Sequence, residues 1–193
     1  LFFDSNIPMG YGIGSSGALC AAFFDTFCYS QPSSNQLTLS ALKKIFSILE
    51  SFFHGASSGI DPLICYTNQP ILMKGKGQLN VTSFPKGNQR GSGAIFLLDT
   101  NISRQTSPLV EDFLKQCEQE NFQEKCMNDL IPSNHQAIES FQKGRWGDLF
   151  FTFGKIGRFQ FDYFKAMIPN NFQAVWEKSL DSNIFKLKIN LRK

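Results

Sequence analysis

Two histidines and five cysteines are all that this 193-residue chain offers a soft metal, and their spacing offers little. Cys20, Cys28, Cys65, Cys117 and Cys126 include no Cys-x-x-Cys pair, and neither His54 nor His135 has a cysteine within ligand spacing. That argues against a structural zinc site and a disulfide framework, and leaves reduced, mostly buried thiols in a cytoplasmic protein as the expectation. Charge is scarce too. Charged residues make up 18%, below the roughly 25% of ordinary soluble domains, and the net charge of +3 is too weak to argue for a nucleic-acid or membrane-surface partner. No apolar run reaches the roughly 18 residues that a membrane-crossing helix needs. The opening residues have no basic start and no sustained apolar stretch, so they do not read as a signal peptide.

What the chain does have is phenylalanine. Its 21 Phe raise the aromatic share to 14%, and 42% hydrophobic content suffices for a core in one large domain or two small ones. Wholesale disorder is excluded by the same composition. The opening Leu-Phe-Phe-Asp-Ser-Asn-Ile-Pro reads as a strand over 1–7, already in progress at Leu1. The closing Phe185-Lys-Leu-Lys-Ile-Asn-Leu-Arg-Lys193 alternates like a strand and then stops. Both ends are therefore expected to belong to a longer fold, of which this chain is a fragment.

Between the ends, the pattern falls into two halves. After Pro8 comes the run Met9-Gly10-Tyr11-Gly12-Ile13-Gly14, then Ser15-Ser16 where a helix would start, and good helix formers beyond Gly17. Gln31–Asn35 is a loop by composition. From 39 to 53, Leu42, Ile45, Phe46, Leu49, Phe52 and Phe53 recur at three- and four-residue steps, predicting an amphipathic helix that ends near Gly55. Residues 63–84 read as short strands, with turns at Asn68-Gln69-Pro70 and Gly75-Lys76-Gly77. The polar, glycine-rich stretch 85–93 is the best linker, and 94–98 reads as a buried strand. From Pro108 onward the pattern is helical, with breaks expected at Pro132, Gly144–Gly147 and Pro169. The fold class is α+β, in two domains.

A strand, a glycine run and a helix opening on serines make a physical recipe for gripping phosphate. Glycines leave backbone N–H groups unobstructed, and the helix N-terminus contributes its positive dipole end. The same glycines could simply make a tight strand-to-helix turn. Gly12-x-Gly14-x-x-Gly17 satisfies the dinucleotide fingerprint literally, but that fingerprint needs a second strand ending in an acid about 20 residues on. Here that stretch is a polar loop followed by another helix. No lysine lies in the loop, which excludes a Walker motif, and the protein-kinase signatures are absent.

What remains is a closer match. Pro8-Met-Gly-Tyr-Gly12-Ile13-Gly14-Ser15-Ser16-Gly17-Ala18 resembles the second motif of the GHMP small-molecule kinases, Pro-x-x-x-Gly-Leu-Gly-Ser-Ser-x-Ala, with Ile13 for Leu. Glu50-Ser-Phe-Phe-His54-Gly55-Ala-Ser-Ser58-Gly59-Ile-Asp61 is similar to the mevalonate kinase segment Glu-…-His-Gly-x-x-Ser-Gly-x-Asp, its acids eleven positions apart as in that family. Leu97-Leu98-Asp-Thr100-Asn101-Ile-Ser-Arg104-Gln-Thr106 resembles the strand and loop that open the same enzyme's C-terminal domain. The resemblance implies a two-domain GHMP kinase-type fold with both domains incomplete. Residues 1–87 would be the later portion of the ATP-binding domain, and 92–193 a portion of a ferredoxin-like α+β domain. Two family elements would lie outside the chain: an N-terminal segment with substrate-binding residues and a lysine, and a third glycine-rich motif after Lys188-Ile189.

The resemblance also implies roles. Gly10, Gly12, Ile13, Gly14, Ser15, Ser16 and Gly17 would cradle the phosphates of ATP, while Ser16 and Glu50 would hold Mg2+. Asp61 would be the catalytic carboxylate that orients the acceptor hydroxyl, and His54, Arg104 and Thr106 would bind substrate, Arg104 suiting a carboxylate such as that of mevalonate. Each residue has a plainer reading. Glu50 could be a solvated helix glutamate, Asp61 a turn aspartate, His54 a helix C-cap and Thr106 an N-cap. The implied reaction is ATP-dependent phosphorylation of the C5 hydroxyl of mevalonate, in isoprenoid synthesis. The partner is then a small molecule, with no nucleic acid and no membrane, and a homodimer stays open. Alternatives are another GHMP kinase acting on a sugar or an amino-acid alcohol, or a non-catalytic remnant.

Overall fold

A computed structural model of the chain describes residues 2, 4–7, 13–28, 37–75, 77–83, 85, 96, 98–102 and 107–182. The chain divides after Ser83 into two compact units. The expected linker over 85–93 lies, apart from Pro85, outside the described residues.

The first unit is three helices and a hairpin. Helix α1, Ser15–Cys28, buries Gly17, Cys20, Ala21 and Phe24, which share one face at three- and four-residue spacing. Helix α2, Leu39–His54, starts at Thr38, whose side chain accepts the Ala41 N–H at 3.2 Å. It stops at Gly55, whose positive φ of 71° lets its N–H close on the Ser51 carbonyl. The expected amphipathic helix is thus present. Its buried stripe is Leu42, Phe46 and Glu50, whereas the expected Phe52 and Phe53 lie exposed.

Helix α3, Ile60–Thr67, departs from the expected strands. Pro62 looks like a breaker in the sequence, yet it sits in the first turn, where its missing N–H leaves no helical bond unmade. Asp61 in the same turn complements the helix dipole. Leu63 then anchors the helix in a core of Cys20, Phe24, Leu42 and Phe46. The Phe24 ring meets Phe46 at 5.0 Å and Tyr66 at 5.2 Å, both edge-on. Strands β1, Ile71–Lys74, and β2, Gln78–Val81, pair antiparallel with Ile71 opposite Val81 and Lys74 opposite Gln78. Their turn falls at Gly75–Gly77, as the glycine spacing predicts.

The expected opening strand is not formed at the described residues 2 and 4–7, and Phe2 is exposed. A strand needs a neighbour to satisfy its backbone, and among the described residues none lies beside this one.

The second unit is helical over its described residues: α4, Ser107–Cys117; α5, Glu120–Lys125; α6, Ile131–Gln142; α7, Trp146–Phe164; and α8, Asn170–Asp181. Pro132 does not break the chain. Residues Cys126–Leu130 form a π-helical turn in which the Ile131 N–H reaches back to the Cys126 carbonyl, and Pro132 follows in the first turn of α6. The widened turn accommodates the ring that would crowd an ordinary helix interior. Gly144, at φ of 65°, and Pro169 do separate helices. The core gathers Phe122, Phe159, Phe161, Phe164, Met167, Ile168 and Trp176, so these phenylalanines serve packing. The Trp176 indole donates to the Gly157 carbonyl at 3.2 Å.

Helices and a hairpin are consistent with the α+β class. The strand expected over 94–98 is not supported where it is described: Phe96 and Leu98 are exposed and outside any strand. An isolated apolar run buries nothing unless a second element covers it. The strand expected over 185–193 lies outside the described residues. The thiols are also less buried than expected. None of the five cysteines is in a disulfide; Cys20 is buried, Cys28, Cys117 and Cys126 are half-buried, and Cys65 is exposed on α3.

Candidate functional site

The candidate site lies in the first unit, where α1, α2 and α3 meet. Gly14 has φ of 84°, a left-handed conformation that glycine takes without strain, and its carbonyl accepts the Ala18 N–H at 2.9 Å. Ser15, Ser16 and Gly17 follow as the first turn of α1, the stretch of a helix whose amides have no intrahelical acceptor. Of the expected cradle, Ile13 is exposed and Gly14 to Gly17 are described; Gly10 and Gly12 lie outside the described residues.

Ser16 and Glu50, 34 residues apart, are brought together. The Ser16 hydroxyl donates to Oε1 of Glu50 at 3.1 Å. Glu50 is only 3% exposed, so it is not the solvated helix glutamate of the plainer reading. Its Oε2 accepts a second hydroxyl, that of Ser57. Among the described residues no lysine or arginine makes an ion pair with it. A carboxylate taken from water without a cation is costly, and hydroxyl donors alone offset only a fraction of that. Cys20, on the turn after Ser16, feels both effects. Burial, with the Glu50 charge adding to it, pushes its thiol up to about 11.

Asp61 lies where α1 crosses α3. A Cβ placed on Gly17 would stand 3.0 Å from the Asp61 Cβ and carbonyl carbon and 3.0 Å from the Pro62 nitrogen. Gly17 is therefore a buried contact glycine that seats the start of α1 against Asp61. Gly59 allows a comparable close approach where α3 begins. With φ of 71° it precedes that helix, and a Cβ there would fall 2.2 Å from the Lys43 carbonyl oxygen and 2.5 Å from the Ser47 nitrogen. His54 is the last residue of α2; its side chain, like all of Arg104 and Thr106, lies outside the described residues.

Residues 1–69 match the family model of the GHMP kinases N terminal domain. This match covers the glycine loop, Ser16, Glu50 and Asp61, and it supports a place in the GHMP kinase superfamily, whose members are ATP-dependent kinases of small molecules. It does not discriminate mevalonate from other acceptors. No curated protein and no solved structure matches the chain. No described helix is long and apolar enough to cross a membrane.

Sequence reasoning missed Ser57. It stands in a small-residue loop at a position the motif leaves open, next to Ser58, which the motif specifies. Only the return of that loop onto α2 places its hydroxyl on Glu50.

The donor set suits a hard cation. No cluster of three or more His, Cys, Asp or Glu occurs among the described residues, which argues against an all-protein metal cage. Mg2+ needs no such cage, because it takes one or two protein oxygens beside phosphate and water. The hydroxyl and carboxylate of Ser16 and Glu50 are oxygens of that kind, and the buried carboxylate, with no described cation beside it, fits a positive charge.

Proposed function

We propose that the chain belongs to an ATP-dependent kinase that phosphorylates an alcohol, with mevalonate as the acceptor. The observation that supports the kinase chemistry is the buried Glu50 carboxylate, bonded by Ser16 at the start of α1 and offset by no described cation, while the acceptor rests on the motif resemblance alone. A phosphate-facing helix start beside a carboxylate in want of a cation is the pairing that phosphoryl transfer from ATP requires.

In this reading the first-turn amides of α1 receive phosphate oxygens, and Ser16 and Glu50 hold Mg2+. The metal supplies neutralisation of the charge spread over the phosphates. Asp61, seated against the same helix start by Gly17, orients the acceptor hydroxyl and accepts its proton as the bond to phosphorus forms. Gly59 and the loop before it fix where Asp61 enters α3. By the resemblance alone, Arg104 would pair with the acceptor's carboxylate, and His54 and Thr106 would bind the acceptor.

The test is ADP release by the intact protein with mevalonate, and by its Asp61→Ala variant. Loss of a general base lowers the rate roughly 10²–10⁴-fold. Unchanged turnover in the variant would remove Asp61 from the reaction. A second reading keeps the chemistry and changes the acceptor, because the family match is silent on it. A panel including homoserine, galactose and mevalonate decides between them, and no response to mevalonate favours the second.

A further inference from the structure

Glu50 has two carboxylate oxygens, and they are not treated alike. Oε1 takes the hydroxyl of Ser16, a residue the proposed reaction already uses. Oε2 takes the hydroxyl of Ser57, a residue it does not. Ser57 is itself held from two further sides. Its Oγ accepts the Gly59 N–H at 3.0 Å, and its carbonyl accepts the Ser47 hydroxyl at 2.6 Å. Ser47 lies on α2 three residues before Glu50, and Gly59 immediately precedes α3. The loop between α2 and α3 is therefore pinned back onto α2, with the Ser57 hydroxyl as the group that meets the carboxylate.

We propose that Ser57 is a positioning residue, which engages Oε2 of Glu50 and so turns Oε1 toward the helix start where metal and phosphate would bind. The proposal rests on the reading of Ser16 and Glu50 as the Mg2+ site. A carboxylate on a three-bond side chain can rotate, and a hydrogen bond to one oxygen selects which lone pairs of the other face the site. Second partners of this kind commonly set metal affinity by 10–100-fold without touching the metal. The same hydroxyl accepts the Gly59 amide, so the orientation of Glu50 and the start of α3, where Asp61 lies, are set by one side chain. Ser58, next in the loop, has a different bond: its Oγ accepts the Ile60 N–H at 3.4 Å.

The experiment is calorimetric titration of the intact protein with ATP, once in excess Mg2+ and once in EDTA. The ratio of the two affinities isolates what the metal contributes. Ser57→Ala is expected to shrink that ratio about tenfold while the affinity in EDTA stays within about twofold of the parent. Ser57→Thr, which keeps the hydroxyl, is expected to restore the ratio, and a thermal melt of each variant checks the fold. Equal loss in both titrations, or no rescue by Ser57→Thr in a folded variant, would show a merely structural role and overturn the proposal. Glu50→Gln separates the two layers. If it abolishes the metal-dependent component and Ser57→Ala does not, Ser57 alone is overturned. If the parent shows no metal-dependent ATP binding, the Mg2+ reading falls and takes this role with it.

Discussion

The hydroxyl of Ser16 donates to Oε1 of Glu50 at 3.1 Å, joining the first turn of α1 to the last turns of α2. Neither residue is exposed, and the acid is nearly inaccessible. The bond ties the glycine-led helix start to the only acid on the α2 stripe that otherwise carries Leu42 and Phe46.

Glu50→Gln keeps the shape of that side chain and removes its charge. The variant is expected to lose at least about tenfold of the Mg2+-dependent component of ATP affinity, with little change in EDTA. A metal dependence equal to the parent's, by calorimetry, would take Glu50 out of the site.

Gly17 and Gly59 are predicted to tolerate alanine differently. At Gly17 the added methyl group meets backbone and Cβ of Asp61 at 3.0 Å, so α1 and α3 must separate slightly. Overpacking of this kind costs about 1–3 kcal/mol. At Gly59 the contacts are shorter and φ is positive, so Gly59→Ala is expected to destabilise more than Gly17→Ala. Urea unfolding of both variants gives the order, and the reverse order would mean that the loop yields more readily than the helix crossing.

Cys20 and Cys65 offer a contrast in thiol chemistry. Cys20 is buried and its thiol is raised to about 11, whereas Cys65 is exposed. Alkylation of the native protein near pH 8 is expected to modify Cys65 early and Cys20 only after unfolding. The linkage has a definite sign. Below about 9, the ordinary value for a thiol, Cys20 is protonated in both folded and unfolded chains and contributes no pH dependence. Between there and about 11 the unfolded chain sheds the proton first, so stability falls as pH rises, by at most about 1.4 kcal/mol per unit. Cys20→Ala removes this increment, and an alkaline stability curve unchanged by the substitution would contradict it.

Phe46 is fully buried and touches the rings of Phe24 and Tyr66. Phe46→Ala is expected to cost about 3–5 kcal/mol. Thermal unfolding followed by circular dichroism would show it as a lowered transition, and a loss under about 1 kcal/mol would mean that the first unit repacks freely.

Much of the first unit was legible locally. The apolar spacing of α2, its end at Gly55, the helix after Gly14 and the glycine turn of the hairpin all rest on short-range rules of backbone conformation. Helix α3 was not legible, because Pro62 ends a helix in its interior and begins one in its first turn, and composition alone does not say which. Nor was the π-helical turn before Pro132, since a widened turn depends on what the helices beside it pack against. Phe96 and Leu98 misled in the opposite direction: an apolar residue announces that something could cover it, not that something does.

The sequence by itself determined the chemistry on offer: a glycine-led helix start with serines, and two acids eleven residues apart on either side of a small-residue loop. Periodicity also determined that Glu50 follows Leu42 and Phe46 at four-residue steps. What only the tertiary structure decided is that this acid is buried, that Ser16 and Ser57 each take one of its oxygens, and that Gly17 seats the helix start against Asp61. The physical reason is that burial and hydrogen-bond partnership across 34 residues are properties of helices in contact. No single segment carries that information until α1, α2 and α3 close on their shared core.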